Sequence, residues 1–268
     1  MAVDFPLADY HVHTARCGHA VGGIDEYVEY AKDLGLVELG FADHLPLFNT
    51  IDATLTMSWD QFPSYLADIR RLKKDSSRPK ILMGIEVDYM PKFVEQTANI
   101  LAEYDFDYVL GSVHFVDGWG IDDRRYIDFY EDYALEDLYE RYFDLIIQAA
   151  ESGLFDVLAH PDLIKKYFRL EKEPLDLYER VVKKLAATGI AIELSSAGLR
   201  KPCREPYPSL EFLKICRHYN IPVTLGSDAH APEQVGADFG LLLEQLARVG
   251  YSEVVRFSER RRTTVGLT

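Results

Sequence analysis

The chain has 268 residues, of which 44 are acidic and 29 basic, giving a formal charge of −15. That balance argues against a protein that tracks nucleic-acid phosphates with a basic stripe. A content of 48% hydrophobic and 27% charged residues excludes a disordered chain or a membrane bundle. The opening MAVDFPLADYHVHT lacks the basic and apolar segments of a secretory leader, and no later run approaches the ~20 apolar residues of a membrane span. A cytoplasmic protein is expected, with no membrane and no nucleic-acid partner. Cys17, Cys203 and Cys216 are odd in number and form no CxxC pair, so neither a disulfide framework nor a thiolate zinc site is indicated.

Taken in chain order, seven short β-branched or apolar runs alternate with helical periods. LADYHVHT is followed by Ile24, Tyr27, Val28, Ala31 and Leu34, spaced as one buried helix face. VELGFADH, KILMGIEVDY and YVLGSVHF come next, then a helical stretch through Leu138, Tyr142, Ile146 and Ala149. DVLAHPD precedes a third such stretch through Leu177, Val181 and Leu185, and IAIELSS, the helical LEFLKICRHYN and IPVTLGSDAH complete the series. Gly35, Gly153, Gly189 and Gly250 stand just past helical stretches, where a C-terminal cap needs positive φ. The polar stretch Lys73 to Lys80 reads as a surface turn and the basic end, Arg256 and Arg260 to Arg262, as a solvated tail. No linker or repeat intervenes, so residues 1–268 are expected to form one domain. Parallel strands alternating with helices define an α/β fold.

Each of the seven strands ends in a potential ligand or catalytic group: His11 and His13, His44, Glu86, His114, His160, Glu193, then Asp228 and His230. A closed parallel barrel would bring these C-terminal ends to one mouth, whereas a doubly wound open sheet would spread them along a line. The ring is the better match. Residues two apart on a strand share a face, so His11 and His13 can grip one cation, as can Asp228 and His230. His19, past the Cys17-Gly18 turn, addresses a neighbouring cation. His11, His13, His19, His44, Glu86, His114, His160, Asp228 and His230 exceed what one zinc or one octahedral ion takes. Two or three divalent ions are therefore expected, and Glu86 can bridge two of them. With imidazole abundant and thiolate absent, Zn²⁺, Mn²⁺ and Fe²⁺ suit the set. His218, within a helix, reads as a hydrogen-bonded core residue and not as a ligand.

DYHVHTARCGHA, FADH, GIEVDY, GSVHFVDGWGID, HPDLIKKY, ELSSAGLRK and GSDAH together resemble the PHP (polymerase and histidinol phosphatase) family, most closely its monofunctional L-histidinol-phosphate phosphatases. The resemblance runs through most of the chain and implies a distorted (β/α)7 TIM-like barrel with a trinuclear site. It implies one metal held by His11, His13, Glu86 and Asp228, a second by Glu86, His114 and His160, and a third by His19, His44 and His230. Ser195 stands where such phosphatases often carry Asn.

The expected reaction is attack of hydroxide bridging two ions on the phosphorus of a small phosphate monoester, with clustered cations reducing charge repulsion. Arg200 in AGLRK is the expected phosphate clamp, because a planar guanidinium makes two parallel bonds to phosphate oxygens; Lys165 would add a second positive charge. Asp228 and His230 are candidates, by position alone, to protonate the leaving alkoxide, and a leaving oxygen stabilised directly by a metal would need neither. Phe115, Trp119 and Asp122 could stack on and hydrogen-bond an imidazole or form a packed lid. Asp43 and Asp162 flank His44 and His160 and would orient these imidazoles or cap a turn. Two other readings remain open: a phosphoesterase acting on a nucleotide or another small ester, and a metal-binding scaffold without catalysis. An amidohydrolase would call for a bridging Lys on a middle strand, where the sequence offers only Glu86 and His114.

Overall fold

The computed structural model describes residues 7–49, 52–75 and 79–267. Strand β1 (Ala8–Val12) leads to α1 (Ile24–Asp33), β2 (Glu38–Phe41), α2 (Phe62–Leu72) and β3 (Lys80–Asp88). Then come α3 (Val94–Glu103), β4 (Tyr108–Ser112), a small hairpin of β5 (Phe115–Val116) and β6 (Trp119–Gly120), and α4 (Leu135–Glu151). The chain continues through β7 (Val157–Leu158), α5 (Leu175–Thr188), β8 (Ala191–Ser195), α6 (Leu210–His218), β9 (Val223–Gly226) and α7 (Phe239–Val249), and ends in the hairpin β10 (Glu253–Ser258) and β11 (Arg261–Gly266). Of the expected Lys73 to Lys80 turn, residues 76–78 lie outside the described residues.

The seven expected strands form one parallel sheet in the order β1-β2-β3-β4-β7-β8-β9. Its two edges approach each other: the His13 N–H donates to the Ala229 carbonyl at 2.9 Å and the Ala229 N–H to the His11 carbonyl at 3.1 Å. These bonds nearly close a distorted (β/α)7 barrel. Helical faces read from the sequence are the buried ones, with Tyr27 and Ala31 of α1, Leu138, Tyr142 and Ile146 of α4, and Val181, Val182 and Leu185 of α5 facing the sheet. Gly189 (φ +73°) and Gly250 (φ +93°) cap α5 and α7 in the left-handed region, where a Cβ would be strained.

Two apolar layers result, one between helices and sheet and one inside the barrel. The inner one contains Tyr10, Leu82, Tyr108 and Leu110 together with Val255 and Phe257 of β10. The basic C-terminal segment is therefore not a solvated tail. Its hairpin packs Phe257 against Tyr10 and Tyr108, Arg260 bonds the Asp156 carboxylate at 2.6 Å, and Arg256 pairs with Glu38. Alternation of valine and phenylalanine with charge in EVVRFS was the overlooked strand signal. Among the described residues no helix is long and apolar enough to cross a membrane.

Candidate metal centre

On an unbroken β1, the side chains of Ala8 and Tyr10 would share a face and His11 would lie on the other. Ala8 and Tyr10 indeed pack inside the barrel and Val12 packs outside it. The β1–β2 register shifts between Asp9 and Val12, a local irregularity of the kind that re-aims side chains beside active sites. His11 and His13 thereby turn inward, fully buried, with their Nε2 atoms 3.0 Å apart.

Glu86 of β3 lies at the centre of the cluster. Its Oε2 is 3.2 Å from His11 Nε2, 3.0 Å from His44 Nδ1 and 3.5 Å from His13 Nε2. Its Oε1 is 3.0 Å from His160 Nε2 and 3.7 Å from His114 Nε2. The two carboxylate oxygens thus face two different sets of imidazoles. Burial would raise this carboxyl, but His44 and His11 pull it well below the ordinary range, so it is anionic.

Asp228 Oδ1 is 3.1 Å from His13 Nε2 and 3.8 Å from His11 Nε2. Burial opposes its ionisation, but the surrounding His230, His11 and His13 hold it well below the usual carboxylate range. His230 stacks on His13 and His19, with ring centroids 4.2 and 4.6 Å apart; His44 sits beside His13 at 4.4 Å and His19 at 5.7 Å. Burial and the neighbouring His44 and His13 push the His19 imidazole down to about 4. His230 is likewise held well below its ordinary value, by burial first and then by His13. Both are neutral near pH 7, as a metal ligand must be.

Donor atoms from His11, His13 and Asp228, from His11, Glu86 and His160, and from His13, His44 and His230 each lie within 4.8 Å of one another. His230 Nε2 is buried without a hydrogen-bond partner, an arrangement that costs free energy unless a cation or water completes it. A donor set of imidazole and carboxylate with such an orphaned nitrogen fits divalent transition ions. All nine residues expected as ligands converge here. His218, expected in the core, instead lies on the exposed end of α6.

Orienting groups stand behind the imidazoles. Asp43 faces His13 Nδ1 at 3.4 Å and accepts the His44 backbone N–H at 2.9 Å, the expected role. Asp162 touches no imidazole; it accepts the Ser209 N–H at 2.7 Å and pairs with Lys165 at 2.8 Å, so it braces a loop. Asp88 bonds His114 Nδ1 at 2.9 Å and Glu193 bonds His11 Nδ1 at 2.8 Å. Both were readable as carboxylates ending strands, yet nothing in sequence spacing distinguishes an orienting carboxylate from a ligating one.

A cavity of about 560 Å³ opens over the cluster, lined by His19, His44, Glu86, His114, His160, Asp228 and His230 and, higher up, by Leu47, Leu55, Phe115, Asp122, Arg124, Lys166 and Lys201. Lys165 does not face it. Its Nζ is bonded to Asp162, to Glu205 at 3.0 Å and to the Pro206 carbonyl at 2.8 Å, and it borders a separate cleft of about 190 Å³. Arg200 is also committed elsewhere: Nη2 donates to the Ser227 carbonyl at 2.5 Å and lies 3.5 Å from the Asp228 carbonyl. The residue following each lines the cavity instead. Lys166 pairs with Asp122 at 3.1 Å, and burial lowers the Lys201 amine from its ordinary value. Both expected cations lie in short 3₁₀ turns, Leu163–Lys166 and Ala197–Arg200, whose facing cannot be read from sequence. Trp119 is packed against Phe129, Tyr130 and Tyr133, so it builds the lid and only Phe115 and Asp122 of that trio border the cavity.

A parallel α/β barrel with imidazoles and carboxylates gathered at the C-terminal mouth defines a metal-dependent hydrolase. The PHP domain model matches residues 9–197 and a PHP-associated model matches residues 211–237, and the chain belongs to the PHP family. It is 38% identical over 259 residues to a protein of Deinococcus radiodurans named a probable histidinol-phosphatase, covering 95% of this chain and 98% of that one. A Bacillus subtilis histidinol-phosphatase is 26% identical, covering 88% and 98%. The solved structure of a Lactococcus lactis histidinol phosphate phosphatase, complexed with zinc, L-histidinol and phosphate, aligns with a TM-score of 0.83 at 19% identity over 96% of this chain and 99% of that one; it shares the fold.

Proposed function

We propose that this chain is a metal-dependent phosphatase that hydrolyses L-histidinol phosphate to L-histidinol and phosphate in histidine biosynthesis. The observation that carries the mechanism is Glu86, one anionic carboxylate whose two oxygens address separate imidazole sets. The substrate rests on the named activities of the relatives, which cover nearly the whole chain.

His11, His13, Glu86 and Asp228 would hold one ion, Glu86, His114 and His160 a second, and His19, His44 and His230 a third. Zn²⁺, Mn²⁺ and Fe²⁺ suit these donors, and zinc is the ion in the Lactococcus complex. Bound there, such ions supply Lewis acidity toward phosphoryl oxygens and make water a nucleophile at neutral pH. The protein's own contribution is positioning. Asp43, Asp88 and Glu193 hold the imidazoles by their second nitrogens, fixing which nitrogen faces the ion. Lys201 places positive charge on the cavity wall beside the Lys166–Asp122 pair, which offsets part of the repulsion an acidic body exerts on a phosphate dianion. Phe115, Leu47 and Leu55 give an apolar flank for a flat ring. With Asp228 ionised and His230 neutral, ligation suits both better than proton donation to the leaving alkoxide. A cytoplasmic location fits a biosynthetic enzyme of this kind.

The test is phosphate release from L-histidinol phosphate beside a panel of sugar phosphates and nucleotides. The proposal requires histidinol phosphate to give the highest kcat/KM. Preference for a nucleotide would transfer the assignment to the broader phosphoesterase reading, and absence of any turnover with metals bound would favour a scaffold.

A further inference from the structure

Glu193, on the inner face of β8, is buried at 1% exposure and its two oxygens are committed in two directions. Oε1 is 2.8 Å from His11 Nδ1, and Oε2 accepts the backbone N–H of His160 at 2.8 Å. His11 comes from β1 and His160 follows β7, so one side chain ties two segments that are not adjacent in the sheet. His160 has φ +27°, a conformation that non-glycine residues adopt only when their surroundings hold it. The bond to its N–H is such a hold.

The neighbouring strand yields space for this carboxylate. A Cβ at Gly226 of β9 would lie 1.8 Å from Glu193 Oε1 and 2.8 Å from the His11 Cβ, distances at which atoms overlap. Only glycine at that position lets the Glu193–His11 pair stand where it does. In the His11 tautomer with a proton on Nδ1 both partners are donors, and glutamine, with one acceptor oxygen and one NH₂, could satisfy only one of them. One of the two bonds would become a donor facing a donor.

We propose that Glu193 is a positioning residue that sets ligands of two metal sites at once, fixing the His11 tautomer for one ion and the His160 backbone for the other. The inference rests on His11 and His160 being ligands, as proposed above. A carboxylate on Nδ1–H leaves Nε2 as the metal-facing nitrogen, and His11 Nε2 is the atom that points at Glu86 and His13.

The experiment is competition between the purified full-length protein and a chromophoric chelator for Mn²⁺ and Zn²⁺, using wild type, Glu193→Gln and Glu193→Asp. Wild type must retain at least two ions; if it retains one or none, the multinuclear reading itself fails. Given that, both variants should bind two of the ions more weakly by roughly 10- to 100-fold, the scale for losing an orienting partner, with kcat/KM for histidinol phosphate recovering at excess metal. Aspartate keeps the charge but is one methylene too short to span both partners, so full metal affinity in Glu193→Asp would reduce the role to charge alone and overturn the inference. Affinities within twofold of wild type in a folded Glu193→Gln would overturn it too. If neither variant folds, ¹⁵N NMR of the His11 ring in loaded wild type decides: a protonated Nδ1 with a metal-bound Nε2 supports the assignment, and the reverse contradicts it.

Discussion

Arg200→Ala separates two accounts of one guanidinium. The side chain donates a 2.5 Å bond to the Ser227 carbonyl, with longer contacts of 3.5 Å to the Asp228 carbonyl and 3.4 Å to Ser196 Oγ. Asp228 itself stands at φ +51°, in the left-handed region, so the segment carrying this acidic group needs bracing. A hydrogen bond with one charged partner contributes about 1.5–3 kcal/mol, and the two longer contacts add little, so truncation should cost about 2 kcal/mol. At roughly 2–4 °C per kcal/mol for a protein of this size, the unfolding midpoint of the chelated protein should fall by about 4–8 °C. Retention of the ion that Asp228 is proposed to hold should weaken with it, and Arg200→Lys should recover part of the midpoint by returning one donor. Calorimetry and elemental analysis on the same preparations provide the readout. A direct phosphate clamp makes the opposite forecast: unchanged midpoint and metal content, with kcat/KM lower by roughly 10². That pattern would refute the bracing role.

Glu86→Gln removes the charge that two imidazole sets share, so metal content should drop by at least one ion per chain and phosphate release by roughly 10² or more; His218→Asn should leave both unchanged, as elemental analysis and initial rates will show. In the metal-free protein His13 is pushed up to about 9 and His114 to about 10, burial opposing the shift while Asp228 and Asp43, and Asp88, drive it. Such groups stabilise the fold fully below the unfolded value near 6.5 and lose that stabilisation as pH rises through 9 to 10, so the chelated protein's midpoint should fall over that window. Metal loading must displace those protons and should release them into a weakly buffered solution; loading without proton release would contradict the assigned protonation. Phe257→Ala, at the floor of the barrel against Tyr10 and Tyr108, should cost about 3–5 kcal/mol in urea unfolding without changing metal stoichiometry.

The barrel and the convergence of these side chains on its mouth were legible because their signals are short-range and repeated. A β-branched run ending in His, Glu or Asp recurs seven times, and parallel strands with converging C-terminal ends translate that repetition into a ring. What sequence could not supply was orientation. His11 and His13 face inward through a register shift between β1 and β2, which HVH read as a regular strand does not contain. Lys165 and Arg200 each lie one residue from the lysine that lines the cavity, because a 3₁₀ turn rotates successive side chains by about 120° and its entry angle depends on tertiary packing. Glu193 illustrates a different limit: a carboxylate at a strand end reads identically whether it touches an ion or a histidine. The C-terminal arginines looked like a tail because their charge outweighed the alternation beneath it, yet Val255 and Phe257 close the barrel floor.

If the two imidazole sets that share Glu86 each hold an ion, phosphate monoester cleavage requires more than one ion in the site around that carboxylate. Metal-free protein titrated with Mn²⁺ or Zn²⁺, with the rate of phosphate release from L-histidinol phosphate read at each equivalent per chain, tests it most directly. Release should be negligible through the first equivalent, and the rate should climb until at least the second is bound. A rate already maximal at one equivalent, or present without any, would contradict it.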